Sequence, residues 1–415
     1  MSDPQAASPF LPHTREEARQ RLDAFLPNAG RAYATGRNTD PGPGARDHVS
    51  LLSPFLRHRL IGEDEVIRSV LGAHAASTAD KFIQEVIWRT YWKGWLALRP
   101  AAWSDWLAER DRDRAAVADN AGKAHALRQA EAGETGIACF DAWARELVET
   151  GYLHNHARMW FASIWIFTLN LPWSLGAAFF LRHLLDGDPA SNTLSWRWVA
   201  GLQTRGKAYV ARAGNIAKFT DGRFNPKGQL NEAPEPLDWR GKPDIQDLAP
   251  LPDQPDPALF TDGPVGVLLT GDDLSLETLW PDIRPDSVAG GWAPEISDQH
   301  GISPPVQRWV TNAIADARNR AADAWQCPAV PLEVLWRDGV GTWAFTRRLK
   351  HVLVMEPQVG SWHDALAPVA RRLQSLGVQL HRFRRAWDTD LFPHATAGFF
   401  KFKKQQGSIV EALKR

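Results

Sequence analysis

The chain has 415 residues, 48 basic and 48 acidic, so its formal net charge is zero, and 44% of it is hydrophobic. That length and composition fit two or three ordinary globular domains, and the neutral balance excludes a chain-wide basic footprint for nucleic acid, though not a local patch. Two cysteines, Cys139 and Cys327, exclude a disulfide framework or a cysteine-ligated iron–sulfur cluster and suit a reducing, cytoplasmic location.

The first twenty residues lack a basic start and an apolar core, so no signal peptide is expected there. Tyr33 lies in a loop-like stretch, GRAYATGRNTD, and Ser50 and Ser53 stand three apart in DHVSLLSPFLRHRLIG. Hydroxyls at a helix start suit a diphosphate, and equally suit a simple cap. The segments DEVIRSVLGAHA, ADKFIQEVIWRTYWKGWLAL and CFDAWARELVETG repeat apolar residues at three- and four-residue spacing, which predicts a mostly helical region over residues 1–226.

Within that region Glu85, Trp88 and Arg89 fall at i, i+3 and i+4, on one face of a helix, and Asn155, Arg158 and Met159 repeat the spacing. Taken singly, each face also fits a surface ion pair or a satisfied core amide. Residues 159–181 carry no charge over a length that could cross a bilayer, but Asn170 and Pro172 interrupt them, which predicts two buried helices joined by a turn. In DGDPASNTLSWRW, residues 186–198, Asp188 is placed as an N-cap and Pro189 as the first helical residue. Asn192 and Trp196 then share a face, while Trp198 points elsewhere. Twenty Trp beside four Tyr fit either a Trp-rich core or indoles used for stacking and electron transfer.

Residues 227–263 read as a proline-rich linker. Beyond it, VGVLLTG (265–271), PLEVLW (331–336), HVLVMEP (351–357) and VQLHRF (378–383) are strand-like runs separated by amphipathic helices. This alternation predicts an α/β, Rossmann-like domain over 264–415 with a mostly parallel sheet. No P-loop and no nucleophile elbow is present. GPGARD (42–47) lacks the third glycine of a dinucleotide fingerprint, and His154 and His156 are two apart, on different helical faces.

The stretches EVIWR, ETGIACFDAWARELVETGYLHNHARMWFAS, LPWSLGAAFFLRHLLDGDPASN, SWRW and, more weakly, GRFNP resemble the FAD-binding half of the DNA photolyase/cryptochrome family over residues 15–226. The resemblance implies an all-helical domain holding a folded FAD, whose light-excited reduced flavin passes an electron to a pyrimidine dimer in DNA. It places Tyr33, Ser50, Leu52, Ser53 and Arg89 on the phosphate side of the flavin. Arg158 and Asp186 become the ion pair beside the isoalloxazine, Asp188 a contact to its pyrimidine edge, and Asn192 the residue facing N5. Glu85, Trp88, Asn155, Met159 and Trp198 match the lesion pocket of the cyclobutane-dimer enzymes. The (6-4) enzymes carry His at the positions of Asn155 and Met159, so a cyclobutane dimer is the better substrate expectation. A cryptochrome-like photoreceptor without repair, and a helical scaffold without flavin, are the alternatives.

Several positions depart from the family. Trp196 and Trp173 match the first two members of its electron relay, but the third falls on Ala130, leaving Trp143, Trp160 or Trp165 as substitutes. Leu51 and His156 stand where arginines are common, which weakens the expected grip on DNA phosphates. The family usually begins with its α/β antenna domain; here the helical half comes first, and FKFKKQ (400–405) resembles the end of that antenna domain. The second half is therefore expected to be a transposed antenna-type domain, its chromophore unknown, or an unrelated α/β domain.

Overall fold

A computed structural model of the chain describes residues 12–204, 206–238, 249–251, 262–332 and 336–414. The helical half opens with α1 (Arg15–Phe25), α2 (Arg31–Gly36), α3 (Ser53–Arg57) and α4 (Glu63–Ala73). The long pair α5 (Asp80–Ala97) and α6 (Ala101–Ala118) follows, then α7 (Ala121–Ala132), α8 (Ala138–Thr150) and α9 (Asn155–Ser163). It closes with α10 (Trp173–His183), α11 (Pro189–Val199) and α12 (Ala213–Phe219).

The uncharged run at 159–181 resolves as expected. A π-helical turn over Ile164–Thr168 ends the first helix, Asn170 turns the chain in the left-handed region at φ 51°, and α10 starts after Pro172. Among the described residues no helix is long and apolar enough to cross a membrane. GRFNP also falls at a closure: Arg223 reaches Asp40 at 3.2 Å and Phe224 stands edge-on to Trp143.

The second half is a five-stranded parallel sheet in the order β3-β2-β1-β4-β5. Its strands are β1 (Val265–Leu269), β2 (Ser287–Gly290), β3 (Ala329–Pro331), β4 (His351–Met355) and β5 (Gln379–Phe383). Val267 pairs with Val288 on one side and Leu353 on the other. All five residues of β4 are buried, as a central strand covered on both faces requires. Helices α13 (Pro294–His300), α14 (Pro304–Trp325), α15 (Trp336–Thr346) and α16 (Ser361–Ser375) complete this half, α14 lying on β1, β2 and β3 and α16 on β5.

The run 331–336 departs from expectation. Only Pro331 belongs to a strand, Trp336 begins α15, and residues 333–335 lie outside the described ones. A short apolar run cannot be told from a buried helix start by its pattern. Most of the expected linker likewise lies outside the described residues; where it re-enters, Ala249 donates its N–H to Leu98 O at 2.7 Å, against the helical half.

The tail after β5 returns to the helical half as α17 (Ala386–Leu391), α18 (Phe399–Phe402) and α19 (Gln406–Leu413). It runs along α5: Trp387 donates to Thr90 Oγ1 at 3.0 Å, Tyr91 donates to Ala397 O at 2.9 Å, and Lys403 reaches Gln84 at 2.8 Å. Gly94 permits the approach, since a Cβ there would lie 3.0 Å from the Phe392 backbone.

Buried charges join the halves. Arg57 meets Asp272 at 2.6 Å, and Arg59 binds both oxygens of Asp388 at 2.6 and 2.7 Å and reaches Asp273 at 3.6 Å; within the second half, Arg385 holds both oxygens of Asp273 at 2.6 Å. Asp272 and Asp273 follow β1, at the carboxyl end where the strand order reverses. There Asp272 also accepts from Gln358 N–H at 3.0 Å, just after β4. Sheets of this order bind ligands at such a crevice. Here Arg57 enters it, and the Trp362 ring lies 2.7 Å from where a Cβ on Gly271 would be.

Candidate functional site

One of the three helices singled out by spacing touches both of the others. Helix α11 packs against α5, which carries Glu85, Trp88 and Arg89, and against α9, which carries Asn155, Arg158 and Met159. Asp188 caps α11 as its sequence predicts, accepting from Ser191 N–H at 2.9 Å, with Pro189 first in the helix.

Arg158 donates to Asp186 Oδ2 at 2.9 Å and to Leu153 O at 2.8 Å, and its guanidinium lies 5.6 Å from the centre of the Tyr152 ring. The other oxygen of Asp186 is buried without a protein partner. Thr193 Oγ1 and Trp196 Nε1, both on α11, are likewise buried and unpartnered. Buried polar atoms are rarely left so, and the free oxygen of Asp186 belongs to the carboxylate that Arg158 already holds. A fixed guanidinium beside a half-used carboxylate is a donor–acceptor set that the imide edge of a flavin can complete. These residues therefore fit FAD.

The remaining cofactor-side residues divide. Asn192 is buried, and its Nδ2 donates to Ala177 O at 2.8 Å, which orients the amide. Asp188 already spends one oxygen on the cap and the other on Arg89 at 2.9 Å, with Arg57 at 3.9 Å. Burial opposes its ionisation, but Arg89 and then Arg57 outweigh it and hold the carboxyl down at about 2. Each oxygen of Asp188 thus already has a protein partner, one at the helix cap and one on Arg89. Leu52 is buried, and Ser50 and Ser53 are half-buried. Ser53 is the first residue of α3 rather than its cap; the cap position is Leu52, and Ser50 Oγ accepts from Leu52 N–H at 3.4 Å.

Tyr33 is buried, edge-on to Phe82, and burial followed by the Glu85 charge pushes its phenol above the usual range. Between Tyr33 and Glu85 stands Arg37, which hydrogen-bonds to the phenol and forms an ion pair with Glu85. Burial raises the Glu85 carboxyl above its ordinary range even though Arg37 pulls the other way. Sequence reasoning missed Arg37; its only trace is a basic residue four after Tyr33, on the same side of a helical turn.

Burial separates the two expected sets. The flavin-side Asp186, Asp188, Asn192, Leu52 and Tyr33 are buried, whereas Glu85, Trp88, Met159 and Trp198 are half-buried and Asn155 is exposed. Trp198 stacks on Tyr209, ring centres 5.4 Å apart at 29°. Trp88 is stacked face to face by Phe399 of the tail, 3.4 Å between centres at 8°, with Tyr91 and Trp92 against it as well. The Phe399 contact had no local signal, since more than three hundred residues separate the rings.

Of the indoles, Trp196 is buried and stands edge-on to Trp165, 6.2 Å between centres. Trp173 donates to Glu109 at 3.1 Å. Trp143 and Trp160 stack on each other at 5.5 Å, and Ala130 is fully buried on α7. Trp165 is therefore the suggested substitute that touches Trp196 directly. His156 stacks on Trp160 at 4.1 Å and pairs with Asn38 O at 2.9 Å.

Part of the chain is similar to known proteins. Residues 82–232 match the family model described as the FAD binding domain of DNA photolyase. The deoxyribodipyrimidine photo-lyase of Streptomyces griseus is 36% identical over 204 residues, 48% of this chain and 41% of that protein. That of Thermus thermophilus is 33% identical over 251 residues, 57% of this chain and 55% of that protein. The chain thus spans about half the length of the curated relatives it matches. A solved bacterial class III photolyase from Agrobacterium tumefaciens superposes with a TM-score of 0.42 at 27% identity, covering 50% of this chain and 43% of that one.

Proposed function

We propose that the protein, whose residues 82–232 match the FAD-binding domain of DNA photolyase, is a light-driven, FAD-dependent enzyme that repairs cyclobutane pyrimidine dimers in DNA, in line with the photo-lyase name of its relatives. The carrying observation is the Arg158–Asp186 pair with its one unused carboxylate oxygen, set where α5, α9 and α11 converge. Bound FAD would supply the light-excited electron donor.

The chain's own residues supply the rest. Arg158 and Asp186 hold the ring edge, Asn192 presents its amide from α11, and Tyr33, Ser50, Leu52, Ser53 and Arg89 line the phosphate side. Asp188 acts chiefly by fixing α11 and Arg89 rather than by direct contact. On the more open side, Trp88, Met159 and Trp198 offer apolar walls to a flipped dimer, and Asn155 and Glu85 offer a donor and an acceptor. Glu85, raised by burial, takes up a proton at its carboxyl oxygen more readily than a surface glutamate, which suits a group facing a carbonyl that gains negative charge. Trp196 and Trp165 form the inner part of an electron path. The α/β half, a transposed antenna-type domain in this reading, clamps the site through Asp272, Asp273 and Asp388.

One observation favours the photoreceptor alternative: Phe399 already occupies a face of Trp88. The deciding experiment purifies the protein, records its absorbance and illuminates it with dimer-containing DNA. Flavin absorbance with light-dependent repair, cut at least tenfold by Glu85→Ala while flavin remains bound, supports the enzyme. Flavin absorbance without repair supports the photoreceptor, and a protein that takes up no FAD sinks both.

A further inference from the structure

We propose that residues 398–404, GFFKFKK, form a nucleic-acid-contacting ridge beside Trp88, with Phe400 stacking on a base and Lys401 and Lys404 neutralising backbone phosphates. The proposal rests on the repair reading above and extends its DNA contact to a part of the chain outside the matched domain.

The ridge alternates sharply between inside and outside. Phe399 and Phe402 are 4% and 1% exposed, packed against Trp88 and Tyr91, whereas Phe400 between them is 78% exposed. It is the most exposed large hydrophobic side chain among the described residues. Lys404 lies four residues on from Phe400, along the same side of a helical turn, and Lys401 is next to it; both are exposed. Neither lysine has an ion-pair partner among the described residues, whereas Lys403 is spent on Gln84 at 2.8 Å and Asp80 at 3.5 Å. An aromatic face flanked by unpaired cations is the chemistry that takes a base and its phosphates without regard to sequence.

Position and rigidity point the same way. The Phe399–Trp88 stack makes the ridge continuous with the wall proposed for the flipped dimer. The backbone beneath is fixed on both sides: Ala395 O and Thr396 O accept from Arg99 at 3.2 and 2.7 Å, and Gln406 donates to Asp80 at 3.0 Å. Phe400 is thus presented in place, with little ordering left for binding to cost. The ridge also supplies a local positive patch on a chain of zero net charge.

The test measures dark binding of the flavin-loaded protein to a fluorescent duplex carrying one thymine dimer and to the undamaged duplex, across a salt series. Phe400→Ser should weaken both about tenfold, as loss of one base stack does, and Phe400→Trp should bind like the parent. Lys401→Gln with Lys404→Gln should reduce the slope of log affinity against log salt by about 1.8, close to 0.9 for each phosphate contact removed. Flavin absorbance should be unchanged in every variant, since none of these side chains is buried. A parent that binds and repairs dimer DNA, with Phe400→Ser binding equally well or the salt slope unmoved, overturns the ridge alone and leaves Phe400 as a contact for some other partner. A parent that neither binds nor repairs overturns the ridge together with the functional reading.

Discussion

Arg89 and Asp188 meet at 2.9 Å, tying the helix that presents Glu85 and Trp88 to the cap of the helix that presents Asn192. The carboxylate is 1% exposed. Asp188→Asn keeps a capping oxygen but leaves Arg89 with Glu63 alone, at 3.6 Å, and should cost about 3 kcal/mol. Asp188→Ala should cost about 1 kcal/mol more through loss of the cap. Urea midpoints of the two variants check both figures, and flavin occupancy should fall in the same order.

Asp388 holds both ends of the Arg59 guanidinium from the tail, with Glu63 at 3.2 Å on the opposite flank. Asp388→Ala should destabilise the protein by roughly 3 kcal/mol, because it strips a buried cation of its two-pronged partner and leaves Glu63 and Asp273 to hold it. Replacing Arg59 and Asp388 together by apolar residues should recover part of that loss. A double-mutant cycle in denaturant reads the difference.

His58 lies in the joint between the halves, its two ring nitrogens against Gly271 O and Leu185 O. Burial, followed by the Arg57 charge, depresses it to about 3 from an ordinary 6.5. The unfolded chain therefore takes up this proton first as pH falls. The contribution of His58 to stability is complete above pH 6.5 and is lost progressively toward pH 3, at about 1.4 kcal/mol per pH unit for one proton. Between pH 6 and pH 4 the unfolding free energy of the parent should fall more steeply than that of His58→Gln by one proton's slope. Equal slopes would show that His58 is not neutral in the folded protein.

Gly176 lets α10 seat the indole of Trp196: an added Cβ would lie 2.3 Å from that ring and 3.0 Å from Trp165 Nε1. Gly176→Ala should cost about 1–3 kcal/mol by overpacking and slow any photoreduction of the flavin by shifting the inner indoles. Thermal unfolding checks the first effect and transient absorbance the second. A variant as stable as the parent would mean that the ring moves aside freely.

What could be read from the sequence was local. The turn at Asn170–Pro172, the Asp188 cap and the faces of α5, α9 and α11 follow from a few neighbouring residues, and all are present. Strand β2 went unnoticed because Ser-Val-Ala-Gly carries one β-branched residue and gains its pairing from β1. Arg57, Arg59, Asp272 and Arg385 look like solvated charges in their own segments. They are buried because surfaces more than a hundred residues apart close over them. Arg37 and Phe399 were invisible for the same reason. Each completes a group that spacing did find, Glu85 in one case and Trp88 in the other.

The order of the halves gives the charged joint a consequence for biosynthesis. Arg59 leaves the ribosome 329 residues ahead of Asp388, an interval of roughly 15 to 70 seconds at ordinary elongation rates. Throughout that time Arg59 has Glu63 beside it but lacks its two-pronged partner. Final assembly therefore waits for the tail, and an early stop anywhere before α17 would leave a product that folds locally but cannot lock.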